Sequence, residues 1–330
     1  MRATGDVGGQ PGAEGWLSWL SPLGWVRLTR AFAGEQWWVL ALPIGLVVGL
    51  TAAAYALSAR RDLGAGLLPA RLGPATAALS LHSPLALAWR LHRGSLIAWA
   101  AGAAGFGFML GVVGVSISEF VDAPQFQGWA IRMGMHNAGD AFLALIMYTL
   151  GQVISAYAIA AALRLRSEEM DGRADPVLAT PVSRLRWASS HLFFAAVNPT
   201  LLLAVLGLTI GLGFGLNSGD LANDLPRLFA RTMVALPAIW VMAGLAIALY
   251  GLLPRFAVAG TWGALAVFLA LELGWELQQV SQSVFNLSPF AHVHWAIQVT
   301  AVPLVWLTAL AAVLAVAGLV GLRLRDIGQV

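Results

Sequence analysis

The chain has 330 residues, of which 59% are apolar and only 11% charged, with a net charge of +3. Soluble domains carry about 25% charged residues, so a chain this oily, with a mean hydropathy of +0.76, cannot clothe a water-facing surface. It has no Cys, which excludes disulfides and thiolate chemistry, and no Lys, which excludes both a GxxxxGK[ST] nucleotide loop and Lys Schiff-base chemistry. Its apolar runs are continuous, not short and alternating, so the class is an all-α polytopic membrane protein and not a β-barrel. All 19 basic residues are Arg, and in such a chain they belong to cytoplasmic loops; no nucleic-acid partner is expected.

Residues 1–15 are polar, Gly-rich and lack the apolar core of a signal peptide. WLSWLSPLGWVRL (16–28) is aromatic, too short to span, and broken by Ser21-Pro22 and Gly24. It predicts a re-entrant or interfacial segment over 16–30, with Trp16, Trp19 and Trp25 at headgroup depth. Seven spans follow, at about 37–58, 96–117, 140–163, 190–214, 230–252, 256–276 and 297–322, each long enough for about 30 Å of hydrocarbon. Small residues recur within them, as in AWAAGAAGFGFMLG (98–111), which predicts close helix packing.

Between the first two spans, Ser83-Pro84 is an N-cap/N1 pair opening LALAWRLHRG (85–94). Leu85, Ala88 and Trp89 share a face, with Arg90 and Arg93 elsewhere, so a separate interfacial helix is predicted there. The most charged stretch is 164–187, RLRSEEMDGRADPVLATPVSRLRW. Five Arg alternate with Glu168, Glu169, Asp171 and Asp175. Gly172 is placed to end a helix as its C′ residue. Asp175-Pro176 and Thr180-Pro181 read as two further helix starts.

Placing 59–95, 164–189, Arg255 and the C-terminus on one side gathers 13 Arg there against six opposite. That side is cytoplasmic by the positive-inside rule, with the N-terminus outside. The chain also repeats itself. LSPLGWV (20–26) returns as LSPFAHV (287–293), and RDLG (61–64) as RDIG (325–328), in the same order around a span. Residues 1–64 then read as the tail of a first membrane unit, 65–82 as a cytoplasmic linker and 83–328 as a complete six-span unit. On that reading roughly 200 residues of the first unit belong upstream, or come from a second permease half.

The order interfacial helix, two spans, charged loop, three spans, outer re-entrant segment, last span resembles a type-2 ABC transporter permease. The motifs that carry this are SEEMDGRADPVLATPVSRLRW (167–187), LSPLGWVRLTRAFAGEQWW (20–38) and ARRDLGAGLLP (59–69). They are similar to actinobacterial exporters of polyketide antibiotics of the tetronasin-resistance type. The resemblance implies a transport subunit, not an enzyme, whose ATP and Mg sit on a separate ATP-binding cassette subunit. Glu168, Glu169, Asp171, Gly172, Arg173, Pro176, Pro181 and Arg184 would then form the loop that docks on that subunit, with Arg90 and Arg93 of a connecting helix beside it. Segments 16–30 and 278–295 would cap the outer end of a pathway for lipophilic cargo.

Other residues stand out on physical grounds. Glu272 and Glu276 share a face of one span, and intramembrane carboxylates are costly. Glu272 is expected to line a pathway or to pair with an Arg such as Arg231. Asn198-Pro199 lies within a span as a candidate kink or gating hinge, with neighbours bonding the freed carbonyl. His292 and His294 near Glu276 offer no third ligand at a fixed spacing, so no metal site is assigned. No nucleophile motif is present. A proton-driven transporter using Glu272, and a truncated permease fragment without function, are the competing readings.

Overall fold

The computed structural model describes residues 19, 22–29, 35–59, 76, 81, 83–121, 138–294 and 300–325. The chain divides into two compact units, 1–77 and 78–330.

In the first unit, helix α1 (Pro22–Leu28) folds back beside a 3-10 turn (Trp37–Leu40) that runs into α2 (Ala41–Ser58). Trp25 Nε1 donates to Trp19 O at 2.6 Å, and the Trp19 ring stacks on Trp38. The Gln36 amide donates to Thr29 O at 2.9 Å. Aromatic side chains thus close the short segment onto the start of the span. No residue of α2 is buried, and a helix apolar on every side suits lipid. The RDLG motif at 61–64 lies outside the described residues.

The second unit contains α3 (Pro84–Val121), α4 (Ala138–Met170), α5 (Ala174–Leu178), α6 (Arg184–Ser218), α7 (Leu221–Met233), α8 (Leu236–Leu252) and α9 (Ala257–Glu276). It continues with α10 (Gln282–Phe285), a 3-10 turn (Pro289–Val293) and α11 (Ala301–Leu324). Among the described residues of the whole chain, seven helices are long and apolar enough to cross a membrane. The protein is an all-α polytopic membrane protein.

The separate interfacial helix at 85–94 is corrected: it is the first turns of the 38-residue α3. Ser83 does cap it, its Oγ accepting from the Ala86 amide at 3.2 Å. Nothing after it breaks the helix, since Gly94 and Ser95 are tolerated inside one. The face is also different. Ala88, His92 and Leu96 are buried, whereas Leu85 and Trp89 are exposed. The charged stretch shortens for the same reason. Residues 164–170 belong to α4 and 184–187 to α6, leaving 171–183 as the connection between them.

The bundle packs mainly through α3 on α6 and α8 on α11. Both contacts rest on glycine. A Cβ at Gly213 would sit 2.5 Å from Phe108 O, and one at Gly321 would sit 2.7 Å from Gly251 O. Backbones this close are the means by which membrane helices gain van der Waals contact without a hydrophobic drive between them. The centre holds α4 and α8, whose apolar residues form much of the core. These two helices carry polar side chains to both ends of the bundle.

Candidate functional site

At the loop end, α4 stops in a Schellman motif. The Arg173 amide donates to Glu168 O at 2.9 Å and the Gly172 amide to Glu169 O at 3.0 Å. Gly172 takes the left-handed φ of 68° that this cap needs. The predicted second and third starts are corrected. Helix α5 begins at Ala174, so Asp175 and Pro176 fall within its first turn. Pro181 begins no helix; Ser183, with extended backbone, caps α6 and accepts from the Arg186 amide at 3.3 Å.

The side chains sort by burial. Glu168 and Glu169 are 5% and 8% exposed, whereas Asp171, Gly172, Arg173, Asp175, Pro176 and Pro181 are exposed. Glu168 is held inside the chain by Arg173 Nε at 3.0 Å and Arg164 Nε at 3.6 Å. Arg173 also reaches Asp171 at 2.6 Å. Glu169 accepts from the Tyr250 hydroxyl of α8 and pairs with Arg325 Nη2, just beyond α11, at 2.6 Å. The Arg325 guanidinium lies 4.7 Å over the Tyr250 ring, and Arg184 Nη1 donates to Arg325 O at 2.7 Å. One buried node therefore ties α4, α6, α8 and the end of α11 to the 171–183 connection. A groove of about 520 Å³ opens on that connection, lined by Asp175, Leu178, Ala179, Val182, Ser183 and Arg184.

Beside this node, His92 of α3 meets His191 of α6 at 3.3 Å, Nε2 to Nδ1. Phe194 stacks on His92 and Trp187 packs edge-on to His191. Arg90 and Arg93 project from the same helix start and are exposed.

The opposite end holds a different group. Glu272 of α9 is buried, and its Oε2 accepts from Tyr148 OH at 2.9 Å and from Gln152 Nε2, both on α4. The expected arginine pairing is corrected: Arg231 is not a partner of Glu272. Glu276, one turn on, is exposed and has His294 Nε2 at 3.9 Å from its Oε1. His294 is fully buried among Tyr148, Trp275 and Phe285. Burial holds its imidazole down at about 4, so it is neutral at neutral pH. Helix α9 ends here in a second Schellman motif, the Gln279 amide donating to Gly274 O at 2.8 Å. Its left-handed residue is Gln278, at φ 59°. His292 lies apart, bonding Asn286 O at 3.0 Å and packing on Trp306.

Between the ends, α6 runs on through Pro199. Asn198 is buried and donates to Tyr157 OH at 3.0 Å. The bonded carbonyl is that of Ala196, which accepts from Trp240 Nε1 at 3.0 Å and Thr200 Oγ1 at 2.8 Å. A cavity of about 390 Å³ lies between α3, α4 and α6, lined by Trp99, Gly102, Phe106, Val153, Ile154 and Leu206 among others. Trp99, Phe106 and Val153 are more than a third exposed, so the cavity opens from the side of the bundle.

Sequence reasoning missed Tyr148, Gln152, Tyr250, Arg325 and the His92–His191 pair. A signal for three polar contacts was present. The chain has only four Tyr, and Tyr148, Tyr157 and Tyr250 each meet a residue singled out from sequence: Glu272, Asn198 and Glu169. A buried tyrosine hydroxyl in a span requires such a partner.

Residues 81–323 match the family model described as the C-terminal domain of the multidrug efflux system permease Rv1217c. The chain is also 41% identical, over 99% of its length, to the multidrug efflux system permease protein Rv1217c of Mycobacterium tuberculosis (strain ATCC 25618 / H37Rv). It spans 59% of that protein's length. With well over half of its residues inside the match, the chain belongs to the Rv1217c permease family.

Proposed function

We propose that this chain is the membrane permease part of an ATP-driven exporter of lipophilic compounds in the plasma membrane, with polyketide-type antibiotics or drugs as its cargo class. ATP and Mg bind a separate ATP-binding cassette subunit, which docks on the cytoplasmic 171–183 connection. The observation that carries this is the division of charge at that connection. Exposed Asp171, Arg173 and Asp175 and the adjacent groove offer a polar docking surface, and mixed charge suits pairing across an interface. Behind it, Glu168 and Glu169 are buried in pairs that join four helices. Glu168 and Glu169 thus act as transmitters of movement, with the partner touching the exposed residues in front of them. Arg90 and Arg93 extend the same surface from the start of α3.

The cargo reading rests on the apolar cavity beside Trp99 and Phe106, which offers ring and aliphatic surface and little polar contact. Asn198 and Pro199 give α6 a polar, proline-containing point at which the helix can bend as the bundle changes state. The duplicated-unit reading of 1–64 and 83–328 remains part of this proposal.

A proton-driven mechanism at Glu272 is the second reading, favoured by a buried carboxylate bonded to Tyr148 and Gln152. The two are separated in vesicles holding the permease and its ATP-binding subunit. Accumulation of a lipophilic dye that requires ATP and survives collapse of the pH gradient supports export by ATP. Accumulation driven by the pH gradient alone, without nucleotide, contradicts it.

A further inference from the structure

The group at the end of the bundle remote from the 171–183 connection has the makings of a metal centre. Glu272 and Glu276 are one turn apart on α9, and His294 directly follows the 3-10 turn Pro289–Val293. One ligand atom from each of the three lies within 4.8 Å of the others. From the positions of these side chains, we infer that Glu272, Glu276 and His294 form a binding site for a divalent transition-metal cation of the zinc class.

Three features support the assignment. The donors are mixed: two carboxylate oxygens and one imidazole nitrogen, a set taken by zinc, cobalt and their neighbours rather than by calcium or magnesium. Zinc bonds to such donors at about 2.0–2.2 Å. The 3.9 Å between His294 Nε2 and Glu276 Oε1 is close to the spacing that two ligands of one ion require. The exposed Glu276 can close the remainder by a rotamer change.

Glu272 is also held as a ligand should be. Tyr148 and Gln152 both donate to its Oε2, leaving Oε1 for an ion. Such outer bonds fix ligand orientation. The imidazole is set in place by the rings of Tyr148, Trp275 and Phe285.

The third feature is charge. Two carboxylates stand together with no arginine ion pair among the described residues, and the chain contains no Lys. A buried carboxylate beside a second, exposed one, without an arginine counter-charge, calls for a cation or a proton. A bound cation would clip the 3-10 turn to the end of α9 and to Tyr148 on α4. Three protein ligands leave coordination positions for water, so the ion would be exchangeable.

The test uses the full chain, purified in detergent without a histidine tag and stripped with a chelator. Co²⁺ is the probe, because its visible d–d absorption reports on the ligand set. We expect one Co²⁺ per chain, displaced by Zn²⁺ and accompanied by a rise in melting temperature. Glu276→Gln, at an exposed position, should weaken binding at least tenfold with helicity unchanged, since loss of even an outer-shell partner costs about 10–100-fold. Glu272→Gln and His294→Gln should do so more strongly. Failure of the wild-type chain to take up Co²⁺ overturns the proposal. So does uptake of equal affinity in wild type, Glu272→Gln and Glu276→Gln. A carboxyl group at Glu272 that titrates with pH while no metal binds identifies a proton site and overturns it equally.

Discussion

The two ends of the second unit each bury acidic side chains and satisfy them differently. At the loop end, Glu168 has Arg173 and Arg164, and Glu169 has Arg325 and Tyr250. At the far end, Glu272 has among the described residues a tyrosine and a glutamine, and its acidic neighbour Glu276 faces a neutral histidine. The first arrangement is closed. Its charges neutralise one another and fasten helices together, so it can pass displacement from the connection to α8 and α11. The second has no arginine ion pair among the described residues, and the proposed cation site rests on that. The same residue type is paired with arginine at one end and with neutral groups at the other.

The two ends should respond in opposite senses to neutralisation. Glu169→Ala leaves Arg325 buried without its partner, and breaking such a pair costs about 3–5 kcal/mol. Denaturant unfolding in detergent should show that loss. The double variant Glu169→Leu with Arg325→Met should recover most of it, because a well-packed apolar pair replaces a buried ion pair at little cost. Glu272→Gln in metal-free buffer should behave in the other sense. Glutamine keeps an acceptor for Tyr148 and Gln152 and removes an uncompensated charge, so stability is unchanged or raised. A loss of more than about 1 kcal/mol there would erase the contrast between the ends.

A smaller effect sharpens the far end alone. Gln278 ends α9 in a left-handed conformation that costs a side-chain-bearing residue about 1–2 kcal/mol. Gln278→Gly should therefore raise stability by about 1 kcal/mol, read as a higher melting temperature, without moving Glu276 or His294. A drop in stability would mean that the Gln278 side chain makes a contact that outweighs its backbone.

The spans and the end of α4 at Gly172 were legible because length, hydropathy and a positive-φ glycine are local properties. The boundaries near charge were not. Arg90 and Arg93 read as part of a separate interfacial helix and Arg164 as the start of a loop, yet α3 and α4 carry them outward beyond the apolar core, since arginine is a good helix former. Glu169 reads as surface charge because its neutralising Arg325 and the Tyr250 hydroxyl lie far away in sequence; Glu168 is paired locally, by Arg164 and Arg173, and only its burial is a product of the fold. Glu272 stands out in the sequence as a carboxylate within a span, but its bonds come from α4, and no spacing rule links Tyr148 to Glu272. His294 reads as offering no metal site because no third ligand stands at a fixed sequence spacing; in the fold Glu272 and Glu276 of α9 come within 4.8 Å of it, and that juxtaposition is not a spacing in the sequence.

On the proposed reading, the exposed face of 171–183 is where a partner pushes. Asp175 tests it most directly, because it is exposed and lines the groove while the buried node lies behind it. The measurement is the affinity of the detergent-purified permease for its ATP-binding subunit, wild type against Asp175→Arg. Affinity should weaken at least tenfold, equal to about 1.4 kcal/mol, with melting temperature unchanged. Equal affinity in the two proteins would contradict it.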